Sequence, residues 1–208
     1  RSEPPIFKKN SDNFLDAFGT PFSQNFPLFH DIINNNMTTF KLPDTVAKVL
    51  KVLAKAGFEV YAVGGSVRDL ITGRPTRNWD FTTNATPQQI LKIFPQGFYD
   101  NIFGTVGVPQ ENGEIYEITT YRTERGYSDR RHPDVVRWGK KLGEDLARRD
   151  FTINAIALRP AFGGVQGKPS KYEIIDPFGG RKDIKEKLIR AVGEPEKRFA
   201  EDTLRLLR

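Results

Sequence analysis

Between Phe58 and Thr83 the chain reads "FEVYAVGGSVRDLITGRPTRNWDFTT". The β-branched and aromatic run 58–63 predicts a strand. Gly64-Gly65 then bends the chain into a short helix, with Ser66 and Asp69 at capping-box spacing and Gly73 as its stop. "WDFTT", 79–83, predicts a second strand. Asp80 follows the bend by 15 residues and lies on the next short strand, so strand pairing could bring it back beside Gly64-Gly65. Backbone N–H groups at such a bend can approach a phosphate at the positive end of a helix. Arg68, one turn in, would add a charged fork. Taken alone, a glycine pair after a strand is more often a plain turn.

The remaining signals extend the same pattern. Pro43 opens a helix whose apolar stripe is Val46, Val49, Leu50 and Leu53, with Gly57 closing it. "TPQQILKIF" predicts a helix with Thr86 as N-cap and Pro87 in its first turn. "TVGVP" and "IYEITTY" predict strands around a tight turn at Asn112-Gly113. "GEDLARRDF" reads as helical, "YEIIDPFGG" as a strand ending in a turn, and "RKDIKEKLI" as the start of another helix. "EDTLRLLR", at the end, reads as the middle of an amphipathic helix. The whole is an α/β domain with a small mixed sheet flanked by helices.

Composition narrows the chemistry. The 208 residues contain no Cys and only two His, so thiolate and all-His metal cages are excluded, and any metal must be hard and oxygen-bound, as Mg²⁺ is. No apolar run approaches the length of a membrane span, and residues 1–36 lack a signal peptide's apolar region, which favours the cytoplasm. The net charge of +6 is uneven. Residues 121–149 hold nine basic groups (Arg122, Arg125, Arg130, Arg131, Arg137, Lys140, Lys141, Arg148, Arg149) against five acidic ones, net +4. Such clustering suits a polyanion such as nucleic acid or a triphosphate, and equally a solvated surface. Residues 1–36 carry six of the 16 Phe among Pro, Asn and Ser without clean periodicity. They are expected to be a separate, partly disordered extension ahead of a start at Met37; an aromatic arm packed on the domain is the alternative.

Beyond the diglycine bend and Arg68, three groups of residues could carry chemistry. Asp80, if it returns to Gly64-Gly65, could hold a Mg²⁺ that bridges triphosphate oxygens, with Glu117 in "IYEITTY" as a second carboxylate. The position two before Asp80 is Asn78. In "RRDFTINA", Arg149 could bind phosphate and Asp150 a ribose hydroxyl, although capping and helix-surface pairs would use the same residues. Asp202, Arg205 and Arg208 would share one helix face. A surface ion-pair ladder is the default there, but an Asp/Arg pair also suits base reading. A carboxylate only accepts hydrogen bonds and a guanidinium only donates, matching the amino group and ring nitrogen of cytosine and adenine.

These motifs, in order, resemble a known family. "GGSVRDLITGRPTRNWDFTTNATP", "FGTVGV", "YEITTYRTE…YSDRRHP", "LARRDFTINAIAL", "IIDPFGGRKDIKEKLIRAVG" and "EDTLRLLR" are similar to those of the bacterial-type (class II) tRNA nucleotidyltransferases, the CCA-adding enzymes and their poly(A) polymerase relatives. The resemblance covers Met37 to Arg208. It implies a polymerase-β-like nucleotidyltransferase head over 37–178, followed by the start of a helical neck over 179–208. It also implies a Mg²⁺-dependent, template-independent transfer of CMP and AMP from CTP and ATP to a tRNA 3′ end. On matched positions, Gly64, Gly65 and Arg68 would bind the nucleotide, Asp80 would be the second metal carboxylate, and Glu117 would support it. Arg149 and Asp150 would contact the triphosphate and ribose, and Asp202, Arg205 and Arg208 would read the base. One departure is plain: the family's first metal Asp is Asn78 here, a neutral ligand that should weaken Mg²⁺ binding and slow the reaction.

Three other readings stay open on sequence. A poly(A) polymerase, or an enzyme adding only C or only A, lies within the same family, although "NIFGTVGV" stands where poly(A) polymerases usually carry a "GRRFR"-like stretch. A non-catalytic nucleotide- or RNA-binding relative would explain Asn78. A transferase acting on a small molecule would have less use for the Arg-rich 121–149 segment.

Overall fold

The computed structural model of the protein describes residues 7–8, 37–38, 40–99, 104–128, 130–161 and 171–207. In chain order these form β1 (Phe7–Lys8), β2 (Met37–Thr38), α1 (Asp44–Lys55), β3 (Val60–Val63), α2 (Gly65–Ile71), β4 (Asp80–Thr83), α3 (Pro87–Ile93) and β5 (Phe98–Tyr99). There follow β6 (Thr105–Pro109), β7 (Ile115–Thr120), β8 (Arg122–Arg125), β9 (Val135–Trp138), α4 (Leu142–Ala147), β10 (Ala157–Pro160) and β11 (Tyr172–Ile175). The last elements are α5 (Gly180–Lys185), β12 (Leu188–Ile189) and α6 (Pro195–Glu201), with 3₁₀ turns at Thr152–Asn154 and Thr203–Leu207.

Eight strands make one mixed sheet in the order β2-β11-β10-β3-β4-β7-β6-β5. The β4/β7 pair is parallel, and its neighbours are antiparallel. Because strand side chains alternate between faces, register sorts the residues. Val60, Ala62, Phe81, Val106 and Ile118 point to one face and pack with Val46, Val49, Leu50 and Leu53 of α1, Val67 and Ile71 of α2, and Ile90 of α3. The expected stripe of α1 is therefore the buried one, and each of its aliphatic side chains contributes about 1.5–3 kcal/mol by burial. Tyr61, Val63 and Ala157 point to the opposite face, where they pack with Tyr121, Leu146, Ala155 and Val192. Asp80 pairs with Val63 and so belongs to this second face.

Several sequence expectations need correction. α2 starts at Gly65, and the Ser66 hydroxyl donates back to the Val63 carbonyl (2.9 Å), so no capping box forms there. The box forms instead at α3, between Thr86 and Gln89. α4 stops at Ala147, which leaves Arg149 and Asp150 in the turn that follows, and α5 stops at Lys185 before β12. "EDTLRLLR" is not a continuous helix. α6 ends at Glu201, Asp202 is extended (φ −146°, ψ 105°), and a 3₁₀ turn follows. The Asp202 carboxylate accepts the Leu204 N–H (3.0 Å), a local bond that competes with helical pairing. The β8/β9 ribbon and β10 had no counterpart among the expected elements. Of the 1–36 extension only Phe7 and Lys8 are described, paired with Ile189 and Leu188; the rest of that expectation lies outside the described residues. Among the described residues no helix is long and apolar enough to cross a membrane.

Candidate nucleotide-binding site

A pocket of about 450 Å³ opens on the second face of the sheet. Gly64, Gly65, Asp80, Arg149, Asp150, Asp202 and Arg205 all line it. Seven residues from three separate sequence motifs thus meet at one place. The closest convergence is at Gly64, whose φ of +79° favours glycine. A Cβ there would lie 3.0 Å from Arg149 Nη1 and 3.5 Å from Asp80 Oδ2. The bare backbone of the bend, the carboxylate of β4 and one guanidinium therefore share a single corner.

Burial pushes the Asp80 carboxyl above its ordinary value, and the neighbouring Arg149 charge pulls it back without cancelling the effect. A carboxyl with a raised folded-state pKa holds its proton more tightly in the native protein than in the unfolded chain. Stability must then fall as pH rises from the ordinary carboxylate value through the raised one. Asp80→Asn is accordingly expected to raise the melting temperature at neutral pH. The difference should vanish below the unfolded-state pKa, near pH 4. Melting curves of both proteins between pH 3 and 8 check this, and a lower melting temperature for the variant at pH 7 would contradict it.

Behind the corner runs a chain of ion pairs. Arg149 Nη2 meets Asp145 Oδ2 at 3.3 Å, and Arg148 Nη2 meets Asp145 Oδ1 at 2.9 Å. Arg148 Nη1 reaches Glu124 Oε1 at 3.1 Å, where Arg122 Nε also sits at 2.7 Å, and the Tyr127 hydroxyl donates to Glu124 Oε2 at 2.6 Å. Burial alone would raise both carboxyls, but Arg148 and Arg149 hold Asp145 below the usual range, and Arg148 and Arg122 do the same for Glu124. Arg149 keeps a buried Nε without a hydrogen-bond partner in the protein. Its guanidinium is thus braced on one side and unsatisfied on another, as suits an anion donated from outside.

Other expected residues are placed differently. Arg68 does not line the pocket. Its Nε and Nη2 contact Asp69 Oδ1 at 2.9 Å, and its Nη1 donates to Asn154 Oδ1 at 2.7 Å. Asn154 does line the pocket and in turn donates to Asp150 Oδ1 (3.1 Å), so Arg68 acts at one remove. Asn78 sits exposed in a bend before β4 and Glu117 is exposed on β7; neither lines the pocket. Glu117 is nonetheless the register partner of Asp80 in the parallel pair, which puts both on one face. Asp202 and Arg205 reach the pocket from an extended residue and a 3₁₀ turn rather than from one helix face. Arg205 Nη1 donates to Glu201 (2.7 Å) and to the Arg198 carbonyl (2.9 Å), and its guanidinium lies 5.8 Å from the Tyr127 ring centroid. Arg198 ties this segment down by donating to the Ala147 and Arg148 carbonyls at the end of α4. Arg208 lies outside the described residues.

Of the nine basic groups counted in 121–149, Arg122, Arg148 and Arg149 are largely buried and paired: their acidic partners Glu124 and Asp145 come from the same segment. Sequence reading missed Tyr127, Arg131, His132 and Asn154 as lining residues. The first three come from the loop between β8 and β9, which only recognition of that ribbon could have placed at the pocket. Asn154 stood inside the "RRDFTINA" motif, where its spacing from Asp150 was an available signal.

A family profile described as "Poly A polymerase head domain" matches residues 60–190, which carry seven of the sheet's eight strands and all of the pocket lining except Asp202 and Arg205. The chain belongs to the poly A polymerase head domain family. Within that family it is 49% identical over 172 residues to a CCA-adding enzyme of Lactobacillus helveticus, covering 81% of this chain and 40% of that protein. Its fold is similar to the crystal structure of a Bacillus stearothermophilus CCA-adding enzyme in complex with CTP (TM-score 0.64, 40% identity), over 79% of this chain and 37% of that one. It is also similar to a tRNA nucleotidyltransferase complexed with a primer tRNA and an incoming ATP analog (TM-score 0.56, 30% identity), over 77% of this chain and 42% of that one. The chain thus spans about 40% of the length of the relatives it matches. Membership of this head-domain family agrees with the expected mixed α/β nucleotidyltransferase fold.

The family's chemistry implies a divalent metal. Among the described residues no group of three or more His, Cys, Asp or Glu side chains is gathered for a metal. Asp80 and Glu117 remain as carboxylates on adjacent strands and one face. Mg²⁺ is commonly held by one or two carboxylates plus water and substrate phosphates. The pair therefore fits one such ion, and falls short of the several carboxylates a two-metal clamp needs.

Proposed function

We propose that this chain is the nucleotide-binding head of a CCA-adding tRNA nucleotidyltransferase, transferring CMP and AMP from CTP and ATP to a tRNA 3′-hydroxyl with release of pyrophosphate. The observation that carries the reading is the corner where Gly64, Asp80 and Arg149 meet, so close that a Cβ on Gly64 would lie 3.0 Å from Arg149 Nη1 and 3.5 Å from Asp80 Oδ2. A triphosphate placed there finds bare backbone, a braced guanidinium with an unsatisfied Nε, and a carboxylate that suits a cation.

In this reading residues 37–178 are the head and 179–208 begin the neck. Arg149 orients the phosphates. Asp150, held by the Phe151 N–H and by Asn154, faces the ribose hydroxyls, while Arg68 fixes Asn154. Asp202 and Arg205 face the base. Mg²⁺ bound by Asp80 and Glu117, with Asn78 as a weak neutral third ligand, would neutralise the phosphate charge that builds up as pyrophosphate leaves. A non-catalytic nucleotide-binding relative is the second reading, favoured by Asn78 and by the shortage of carboxylates.

Calorimetric titration of the protein with CTP, ATP, UTP and GTP, with and without Mg²⁺, tests the proposal. CTP and ATP are expected to bind more tightly than UTP and GTP by about 1–3 kcal/mol, the cost of mispairing a hydrogen-bonded group. Arg149→Ala should weaken all four. Equal affinities would remove Asp202 and Arg205 as base readers, and no binding of any triphosphate would remove the nucleotide site.

A further inference from the structure

The register of the sheet extends past Asp80 in the direction away from the pocket. Asp80 pairs with Glu117, Glu117 with Gly107, and Gly107 with Phe98, so the four positions form one row on one face. The neighbouring row, Phe81, Ile118 and Val106, is buried in the core on the other face, which confirms the sorting. Along the site-face row, Glu117 is exposed and Phe98 is 43% exposed. Strands are about 4.8 Å apart, which puts the Phe98 backbone roughly 14 Å from that of Asp80.

Phe98 does not point away from this row. A Cβ on Gly107 would lie 2.6 Å from Phe98 Cζ and 3.0 Å from both Cε atoms. The ring therefore lies across the glycine, leaning back along the row toward Glu117. Glycine inside a strand often marks such a close approach, and an aromatic ring laid over it can serve packing alone. Burial of one edge leaves almost half of this residue in solvent, however, and it is next but one to a carboxylate of the proposed metal pair. Asp80 thus stands between two unlike surfaces: a cationic pocket on one side, and an acidic then aromatic strip on the other.

In-line displacement at an α-phosphate requires the attacking hydroxyl to arrive from the side opposite the leaving pyrophosphate. With the triphosphate in the pocket and its pyrophosphate end on Arg149, that side would be the Glu117–Gly107–Phe98 strip. We propose that Phe98 is a substrate-positioning residue whose ring stacks on the 3′-terminal base of the acceptor RNA. This rests on the reading of the pocket as a nucleotide site. A ring face accepts any base, because every base has a π-face, and so it suits an acceptor end whose last base changes with each addition.

The test uses the protein and a short single-stranded RNA carrying 2-aminopurine at its 3′ end, at low salt, with CTP binding measured in parallel. The wild type is expected to quench the terminal fluorophore, and to leave it bright when the label stands several nucleotides inward. Phe98→Leu, which keeps an apolar cover over Gly107, should retain the wild-type melting curve and CTP affinity. It should lose the quenching and bind RNA about 5- to 100-fold more weakly. Phe98→Trp should restore both. Quenching by Phe98→Leu equal to wild type overturns the proposal, as does a wild type that binds CTP but never quenches the terminal label. If the wild type binds neither CTP nor RNA, the nucleotide-site reading falls as well.

Discussion

Replacing Asp145 with alanine is expected to lower folding stability by about 3–5 kcal/mol, the cost of breaking a buried ion pair from one side. The Asp145 side chain is 0% exposed and takes contacts from both Arg148 and Arg149. Without it, Arg148 keeps Glu124, which it shares with Arg122, while Arg149 loses its ion pair beside the half-buried Asp80. Urea denaturation at pH 7 reads the loss as a fall in midpoint. Its pH dependence has a definite sign. Asp145 has a depressed carboxyl, so its contribution is complete above the ordinary carboxylate value and disappears as pH falls through the lower folded-state one. The gap between wild type and variant should therefore close on the acid side. Glu186→Ala is the control: its pair with Lys182 is solvent-exposed and 3.9 Å long, so its removal should cost under about 1 kcal/mol. A loss at Asp145 no larger than the loss at Glu186 would show that the network stabilises nothing. The same experiment bears on function, because Asp145 braces the guanidinium that meets Gly64 and Asp80.

On the proposed function, Asn78→Asp is expected to tighten Mg²⁺ binding in the presence of CTP and to raise metal-dependent incorporation of CMP and AMP into a tRNA lacking its CCA end by at least about 100-fold. Several kcal/mol of transition-state charge stabilisation by a properly held cation correspond to a factor of that size or more. Asn78 lies two residues before Asp80, and the ladder already extends toward it, since Trp79 O accepts the Glu117 N–H at 3.4 Å. The added negative charge would offer such an ion a third carboxylate, from the bend just before β4. Two measurements separate the outcomes. If Mg²⁺ affinity rises while incorporation stays absent, the binding-relative reading gains. If Mg²⁺ affinity does not change, the exposed bend at Asn78 does not reach the site at all.

The division between what was legible in the sequence and what was not follows the range of the interactions involved. Local rules sufficed for α1, where a 3.6-residue stripe between Pro43 and Gly57 is the buried face, and for α3, where Thr86 and Pro87 start the helix. They sufficed for the β6–β7 hairpin, where Gly113 adopts φ +82°. Local rules failed where a side chain chose a distant partner. α4 ends at Ala147 with Arg198 donating to the carbonyls there, and beyond the break at Asp202 the Arg205 guanidinium settles against the Tyr127 ring. No periodicity within eight residues can announce such partners.

The sequence by itself determined the α/β class, the diglycine bend and the types of residue available for chemistry, because propensity, turn geometry and hydrogen-bonding capacity belong to single residues and their near neighbours. Only the tertiary structure decided which of those residues meet. It brought Asp80 and Arg149 onto Gly64, moved Arg68 behind Asn154, and turned a basic segment inward as a buried ion-pair chain. The reason is physical: a partly buried charge needs a counter-charge or a bare backbone beside it. The meeting of Asp80, Arg149 and Gly64, like that of Arg148 and Glu124, depends on how the folded chain as a whole sets strands and turns together.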